Sequence, residues 1–238
     1  MEPIIIFWTD KKVPNPAKVL VILEELGLPY QSRLVRTEDL KKKPYVDINP
    51  NGRLPAIIDP NNDSITLFES AAIVSYLIAT YDKSNTLTYT SVPEMFHLQQ
   101  WSYFQASGQG PYFGQAAWFN FFHHEALPSA RERYNNEIKR VAAVLDSHLQ
   151  DRPWLVGDKC TYADLSFVMW NAQVPFILGD AKDTWEPAKY PKFTRWQEAM
   201  LARDSVKHVF SVMANEEVKS DGKASILTAN NEVKSISS

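Results

Sequence analysis

Cysteine is almost absent. Cys160 is the only one in 238 residues, so no intrachain disulfide and no paired-cysteine redox or zinc motif can form. An excess of basic charge is missing too: 25 Lys and Arg face 28 Asp and Glu, for a net charge of −3. With no long basic run, a nucleic-acid partner is not expected. No apolar run approaches the ~18 residues that a membrane span needs. The opening Met1-Glu2-Pro3-Ile4-Ile5-Ile6-Phe7-Trp8 has no basic leader and reads as a first strand, so a cytoplasmic protein is expected. His123-His124-Glu125 is the one run of metal-ligating side chains. Neighbouring histidines point to different sides of a helix and lack the i, i+4 spacing of a zinc helix, so no metal is expected.

Periodicity divides the chain. Residues 3–8 read as a strand. Asn15-Pro16 then starts a helix, with Asn15 as N-cap, Pro16 at the first helical position and Gly27 as the stop. Tyr30 to Arg36 reads as a strand and 37–50 as irregular, followed by strands at 56–59 and 65–68 and a helix from Ser70 to Tyr81. The order is β-α-β, then β-β-α: a small mixed α/β layer with one parallel strand pair. From 94 to 213 only helical spacing appears, with helices expected at 94–123 (interrupted), 126–150, 161–178, 191–202 and 204–213. The expected domains are 1–87, 88–213 and a flexible tail at 214–238.

Chemistry gathers at helix starts. Their free N–H groups and dipole attract anions, and two starts here carry Asn15 and Glu69-Ser70. Glu69 suits an ammonium, and Ser70 with the first-turn amides suits a carboxylate, so a zwitterion fits. Ser70 read only as an N-cap beside an acidic neighbour explains the same residues. Pro55 either starts an edge strand or is a cis proline that turns Leu54 so its N–H and C=O face an extended ligand.

Several separated motifs occur in order: Asn49-Pro50-x-Gly52-Arg53-Leu54-Pro55-Ala56, Leu67-Phe68-Glu69-Ser70-x-Ala72-Ile73, Trp154-Leu155-Val156-Gly157-Asp158 and Thr161-Tyr162-Ala163-Asp164-Leu165. Together they resemble the cytosolic glutathione transferases over nearly all of residues 3–210. Pro14-Asn15-x-x-Lys18-Val19, Gly108-x-Gly110-Pro111-x-x-Gly114-Gln115 and Glu132-Arg133-Tyr134 narrow the resemblance. They are similar to the bacterial disulfide-reductase-like transferases and the fungal class related to yeast's nitrogen-catabolite prion protein.

The resemblance implies a thioredoxin-like N-terminal domain, with Leu54–Pro55 cis, followed by an all-α domain. It implies glutathione as the bound thiol. Arg53, Leu54 and Pro55 would hold its backbone and Glu69 with Ser70 its γ-glutamyl end. Arg133 and one of Lys41, Lys42 or Lys43 would add charge contacts. It also implies a homodimer. Loop 9–14 has no Tyr or Cys, and Val13 stands where some relatives carry Thr. Asn15 is therefore the expected catalytic residue, its amide donating to the sulfur while the helix N-terminus favours the thiolate. Thr9 is the fallback, and capping the helix is the competing role for Asn15. Cys160 precedes a capping box, Thr161-x-x-Asp164, and is expected to be inert.

Residues 101–124 hold nine aromatic rings in 24 positions, too many to bury on one helix face. With the resemblance this implies an apolar acceptor pocket, with Tyr112, Phe113, Trp118, Phe119, Phe122 and Trp170 as its candidates. The expected activity is transfer of glutathione to a hydrophobic small molecule, in detoxification or fungal secondary metabolism. Glutathione-dependent cis–trans isomerisation or disulfide reduction would use the same thiolate, and a non-catalytic glutathione-binding regulator would use the same fold.

Overall fold

The computed structural model describes residues 1–8, 13–215, 225–227 and 234–235. Its chain forms two compact units, one of residues 1–83 with 204–238 and one of residues 84–203.

The first unit is built on a sheet of order β4-β3-β1-β2-β5-β6. Strand β1 (Ile4–Trp8) pairs in parallel with β2 (Tyr30–Leu34) through helix α1 (Pro14–Glu25). Strand β3 (Ala56–Asp59) runs antiparallel to β1 and to β4 (Ile65–Phe68), and helix α3 (Ser70–Tyr81) follows at once. Alternation along β1 sorts its side chains to two faces. Ile4 and Ile6 are fully buried, as are Val19, Leu20 and Leu23 of α1 and Ile73 and Leu77 of α3. Phe7 joins a second cluster with Tyr45 and Ala56. The expected strands and helices are all present. The region read as irregular adds one short helix, α2 (Tyr45–Ile48).

Two differences matter. Val13, not Asn15, occupies the N-cap of α1 and makes no side-chain cap, so Asn15 is the second helical residue. Helix α10 (Asp204–Asn215) belongs to the sheet unit, where 88–213 had been expected to form one helical domain. It buries Val206, Val209 and Val212. Ser205 Oγ donates to Glu25 Oε1, and His208 Nε2 lies 3.4 Å from Glu24 Oε1. The tail expected at 214–238 lies largely outside the described residues; its described parts include β5 (Ser225–Leu227), antiparallel to β2, and β6 (Lys234–Ser235).

The second unit is helical. Helix α4 (Val92–Phe104) passes through a π-turn at Gln105–Gln109 into α5 (Gly110–Ala117), and a second π-turn follows at Trp118–Phe122. The interruptions expected from the glycines and Pro111 are thus accommodated by widening the helix rather than breaking it. Then come α6 (Pro128–His148), α7 (Tyr162–Asn171), α8 (Val174–Leu178) and α9 (Pro191–Leu201). The capping box at α7 is formed: Thr161 N and Oγ1 donate to Asp164 Oδ2 at 2.8 and 2.6 Å. Asp164 Oδ1 accepts from Leu155 N at 2.8 Å and Trp196 Nε1 at 2.9 Å, joining the 155 loop, the start of α7 and α9 at one buried carboxylate. Cys160 is buried beside it.

Candidate functional site

In the sheet unit, the loop entering β3 is built to present one residue. Asn49 Nδ2 and Tyr45 Oη both donate to the Arg53 carbonyl, at 2.7 and 2.6 Å. Gly52 holds φ at +57°, and a Cβ there would stand 2.5 Å from the Leu40 carbonyl oxygen, so only glycine passes without displacement. The Leu54–Pro55 bond is cis, as is Lys43–Pro44. Neither the N–H nor the C=O of Leu54 bonds to another described residue. Leu54 therefore offers a donor and an acceptor, the pair an extended peptide would use.

The β3–β4 register places that edge. Ala56 lies opposite Phe68 at the last pair of the ladder, so the approach to β3, with Leu54, and the start of α3, with Glu69 and Ser70, adjoin the same end of this strand pair. Glu69 is the N-cap of α3, with φ 68° and ψ 108°, and Ser70 is the first helical residue rather than the cap. Left-handed backbone at a non-glycine residue costs energy and clusters at ligand sites. No side chain caps α3, and Ser70 Oγ makes no hydrogen bond to the described residues. The α3 start therefore combines an exposed carboxylate, an uncommitted hydroxyl and first-turn amides. This removes the reading of Ser70 as an ordinary N-cap.

Asn15 begins the other helix of the site. Pro14 and Pro16 flank it, so of the first three helical positions only Asn15 carries an N–H. It is half-buried. Thr9, the fallback, lies outside the described residues.

Sequence reading passed over Lys18. It sits three residues beyond Asn15 on α1, on the same helical face, and is 1% exposed. Burial pulls its pKa down to about 7, against an opposing pull from the Glu69 carboxylate. A lone cation inside the apolar run Ala17, Val19, Leu20 was the available signal.

The lysines at 41–43 are each engaged. Lys41 Nζ donates to the Asn51 carbonyl at 2.5 Å, Lys42 pairs with Asp39 at 3.4 Å and Lys43 with Asp47 at 3.3 Å. Arg53 is exposed.

Asp59 ties the β3–β4 turn to α3. It is fully buried. It accepts from Tyr76 and Tyr81, each at 2.5 Å, and from Asn61 N at 2.9 Å. Burial pushes its pKa up, but these donors outweigh that and hold it below the ordinary value.

In the helical unit the six expected pocket aromatics separate into three groups. Phe113 and Trp170 meet edge to face at 6.3 Å, and Phe113 is only 1% exposed, so its ring backs a wall rather than forming its surface. Gly110 and Gly114 of α5 face Trp170, where a Cβ on either would stand at ordinary contact, 3.7 Å from the indole. Phe119 stacks on Tyr134 at 5.4 Å, and Tyr112 meets the same ring at 6.3 Å. Trp118 and Phe122 are exposed and 6.2 Å apart. Arg133 lies 6.0 Å over the Tyr134 ring, so Tyr134, quoted only as part of a motif, is the centre of one group. No group of three or more His, Cys, Asp or Glu suited to a metal occurs among the described residues. No described helix is long and apolar enough to cross a membrane.

Comparison with known proteins agrees with this arrangement. Residues 14–80 match the family model "Glutathione S-transferase, N-terminal domain" and residues 111–204 match "Glutathione S-transferase, C-terminal domain". The glutathione S-transferase-like protein gedE of Aspergillus terreus is 46% identical over 84% of this chain and 92% of its own length. Glutathione S-transferase 2 of Schizosaccharomyces pombe is 42% identical, over 84% and 92%. The crystal structure of the glutathione transferase URE2P6 from Phanerochaete chrysosporium, in complex with oxidized glutathione, superposes with a TM-score of 0.83 at 41% identity, covering 90% of this chain and 97% of that one. With both halves of its architecture, a thioredoxin-like sheet unit and a helical unit, the chain belongs to the glutathione S-transferase family.

Proposed function

We propose that this chain binds glutathione and joins its sulfur to a hydrophobic electrophile. The observation that carries the reading is the open edge of Leu54, its N–H and C=O uncommitted, at the same end of the β3–β4 pair as an uncapped helix start bearing Ser70 and Glu69. Leu54 pairs with the tripeptide's backbone. Ser70 and the α3 amides hold the γ-glutamyl carboxylate, and Glu69 holds its ammonium. Arg53, exposed beside Leu54, is the cation of the sheet unit available for the remaining carboxylate. Solved relatives bound to oxidized glutathione and to glutathione support this choice of ligand.

Asn15 stabilises the sulfur as thiolate, through its amide and the positive end of α1. The thiol proton leaves to solvent, the sulfur lone pair forms the new C–S bond, and the acceptor's leaving group departs with the displaced electron pair. Tyr112, Phe119, Trp118, Phe122 and Trp170 form the acceptor side, with Phe113 supporting them. The protein acts in the cytosol as a homodimer, in detoxification or fungal secondary metabolism, with the sheet unit as the glutathione domain and the helices α4 to α9 as the acceptor domain.

Isothermal titration with reduced glutathione tests the reading. Saturable binding that Ser70→Ala and Glu69→Ala each weaken by about tenfold or more is expected, as for hydrogen bonds to charged groups. A folded sample with no heat of association would end the proposal.

A further inference from the structure

A cavity of about 520 Å³ lies wholly within the helical unit, a size typical of small-molecule sites. Its walls come from the second π-turn, the start of α6, and the segment from the end of α8 into the 3-10 turn at Gly179–Thr184. None of the six aromatics assigned to the acceptor side lines it. Pro128, Arg131 and Asn135 form one stripe along α6, and Arg133, two residues on from Arg131, points to the opposite face.

The polar atoms of the wall are sorted by sign. Arg131 Nε donates to the Phe119 carbonyl at 2.9 Å, which fixes the guanidinium plane. Its two terminal amino groups have no partner among the described residues. Asn120 Nδ2 donates to Asn135 Oδ1 at 3.0 Å and to the Ile177 carbonyl at 2.8 Å. That leaves the Asn135 amino group as a second spare donor and Asn120 Oδ1 as a spare acceptor. Asp180 lines the same cavity with no ion pair or hydrogen bond to the described residues, so it does not neutralise Arg131.

The apolar part is shaped as deliberately. Phe121 stacks on Phe176 at 5.1 Å. Gly179 has φ +54°, and a Cβ there would meet the Phe121 ring at 2.9 Å, so glycine lets the chain pass directly against that ring. Phe121 and Leu178 then give the cavity an apolar flank.

We propose that this cavity is a second ligand site, separate from the glutathione site, for a small aromatic hydroxy-acid. The ligand carboxylate takes the terminal amino groups of Arg131 with Asn135, its ring lies on Phe121 and Leu178, and its hydroxyl donates to Asp180. Charge-assisted, forked recognition of a carboxylate is what an oriented guanidinium does best.

4-Hydroxybenzoate is the probe, titrated into the full chain saturated with reduced glutathione and followed by ligand-observed NMR and calorimetry. Saturable binding is expected, undisturbed by S-hexylglutathione. Arg131→Gln should weaken it at least tenfold, as should replacing the probe with neutral 4-hydroxybenzamide. Asp180→Ala should abolish the preference for 4-hydroxybenzoate over benzoate. Ala181→Trp fills the cavity from the opposite wall and should also block binding, which protects the test if Arg131→Gln fails to fold. Glutathione titration on the same variants separates this site from the functional reading: it should be unchanged. No saturable binding at millimolar probe, displacement by S-hexylglutathione, or wild-type affinity in both Arg131→Gln and Ala181→Trp would each overturn the proposal.

Discussion

The Glu69 carboxylate acts on the ammonium of Lys18, a residue fully enclosed on α1, and opposes the fall in pKa that burial imposes. The starts of α1 and α3 are thereby coupled through one buried charge, since Lys18 shares its helical face with Asn15. The folded pKa of about 7 lies below the ordinary lysine value of 10.5. Between those values the unfolded chain binds the extra proton, so stability rises with pH across that window and stays low beneath it. Urea unfolding should show the wild type gaining stability from pH 7 to pH 9, of order a few kcal/mol at most, while Lys18→Met shows no such gain from this group. Glu69→Ala should lower the Lys18 pKa further and extend the lower edge of the window to lower pH, its upper edge near 10.5 being unchanged. A Lys18→Met profile parallel to wild type would refute the coupling.

Asn15 is not the N-cap of α1, so its amide does not serve in that role. Asn15→Ala should raise the thiol pKa of bound glutathione and cut conjugation of an aryl halide by about 10- to 100-fold, the value of one hydrogen bond to a charged acceptor. Thiolate absorbance of the complex against pH reads the first effect and steady-state turnover the second. Glutathione affinity below the thiol pKa should change little, which separates sulfur activation from loss of the binding site.

Gly52 holds a left-handed backbone directly against the Leu40 carbonyl. Gly52→Ala adds both a conformational penalty of about 1–2 kcal/mol and a clash that must move the loop. The displaced Arg53 carbonyl would lose its two donors, Tyr45 and Asn49, and Leu54 would swing away from its ligand-facing pose. Chemical denaturation should show a loss of about 2–4 kcal/mol, and glutathione titration a tenfold or greater weakening. Retained affinity would mean that Leu54 does not depend on this loop.

Much of the sheet unit was legible because each of its elements carries its own signal. β1 and β3 are apolar runs bounded by turns, and α1 and α3 keep a helical stripe ending at Gly27 and Tyr81. Partners chosen through space were not legible. Val206, Val209 and Val212 declare that α10 has an apolar face, but their spacing does not say which unit covers it. Glu69 and Ser70 exchanged places at the helix start because the cap is set by a left-handed φ, which side-chain preference does not encode. The density of aromatics in 101–124 was plain, yet their division into buried Phe113, stacked Phe119 and exposed Phe122 follows from two π-turns that shift the helical phase. Lys18 was visible as an anomaly; its burial was not.

Asp59 shows the same limit and gives the sharpest pH test. In sequence it opens a turn, Asp59-Pro60-Asn61-Asn62, where an aspartate commonly bonds its own backbone, and it does accept from Asn61 N. Its other partners, Tyr76 and Tyr81, come from the far part of α3. Because these donors hold its folded pKa below the ordinary value despite burial, the ionised form stabilises the fold above the unfolded pKa near 4. That contribution is lost as pH falls through the folded value. Asp59→Ala leaves the half-buried hydroxyls of Tyr76 and Tyr81 without their shared acceptor and should cost about 2–4 kcal/mol at neutral pH. Tyr76→Phe and Tyr81→Phe should cost about 1.5–3 kcal/mol each, and together more than the sum, since in each single variant the remaining hydroxyl still serves the same carboxylate. Below pH 3 the difference in thermal midpoint between wild type and Asp59→Ala should shrink. A difference that stays constant from pH 7 to pH 3 would mean that the charge on Asp59 contributes nothing to holding α3 against the β3–β4 turn.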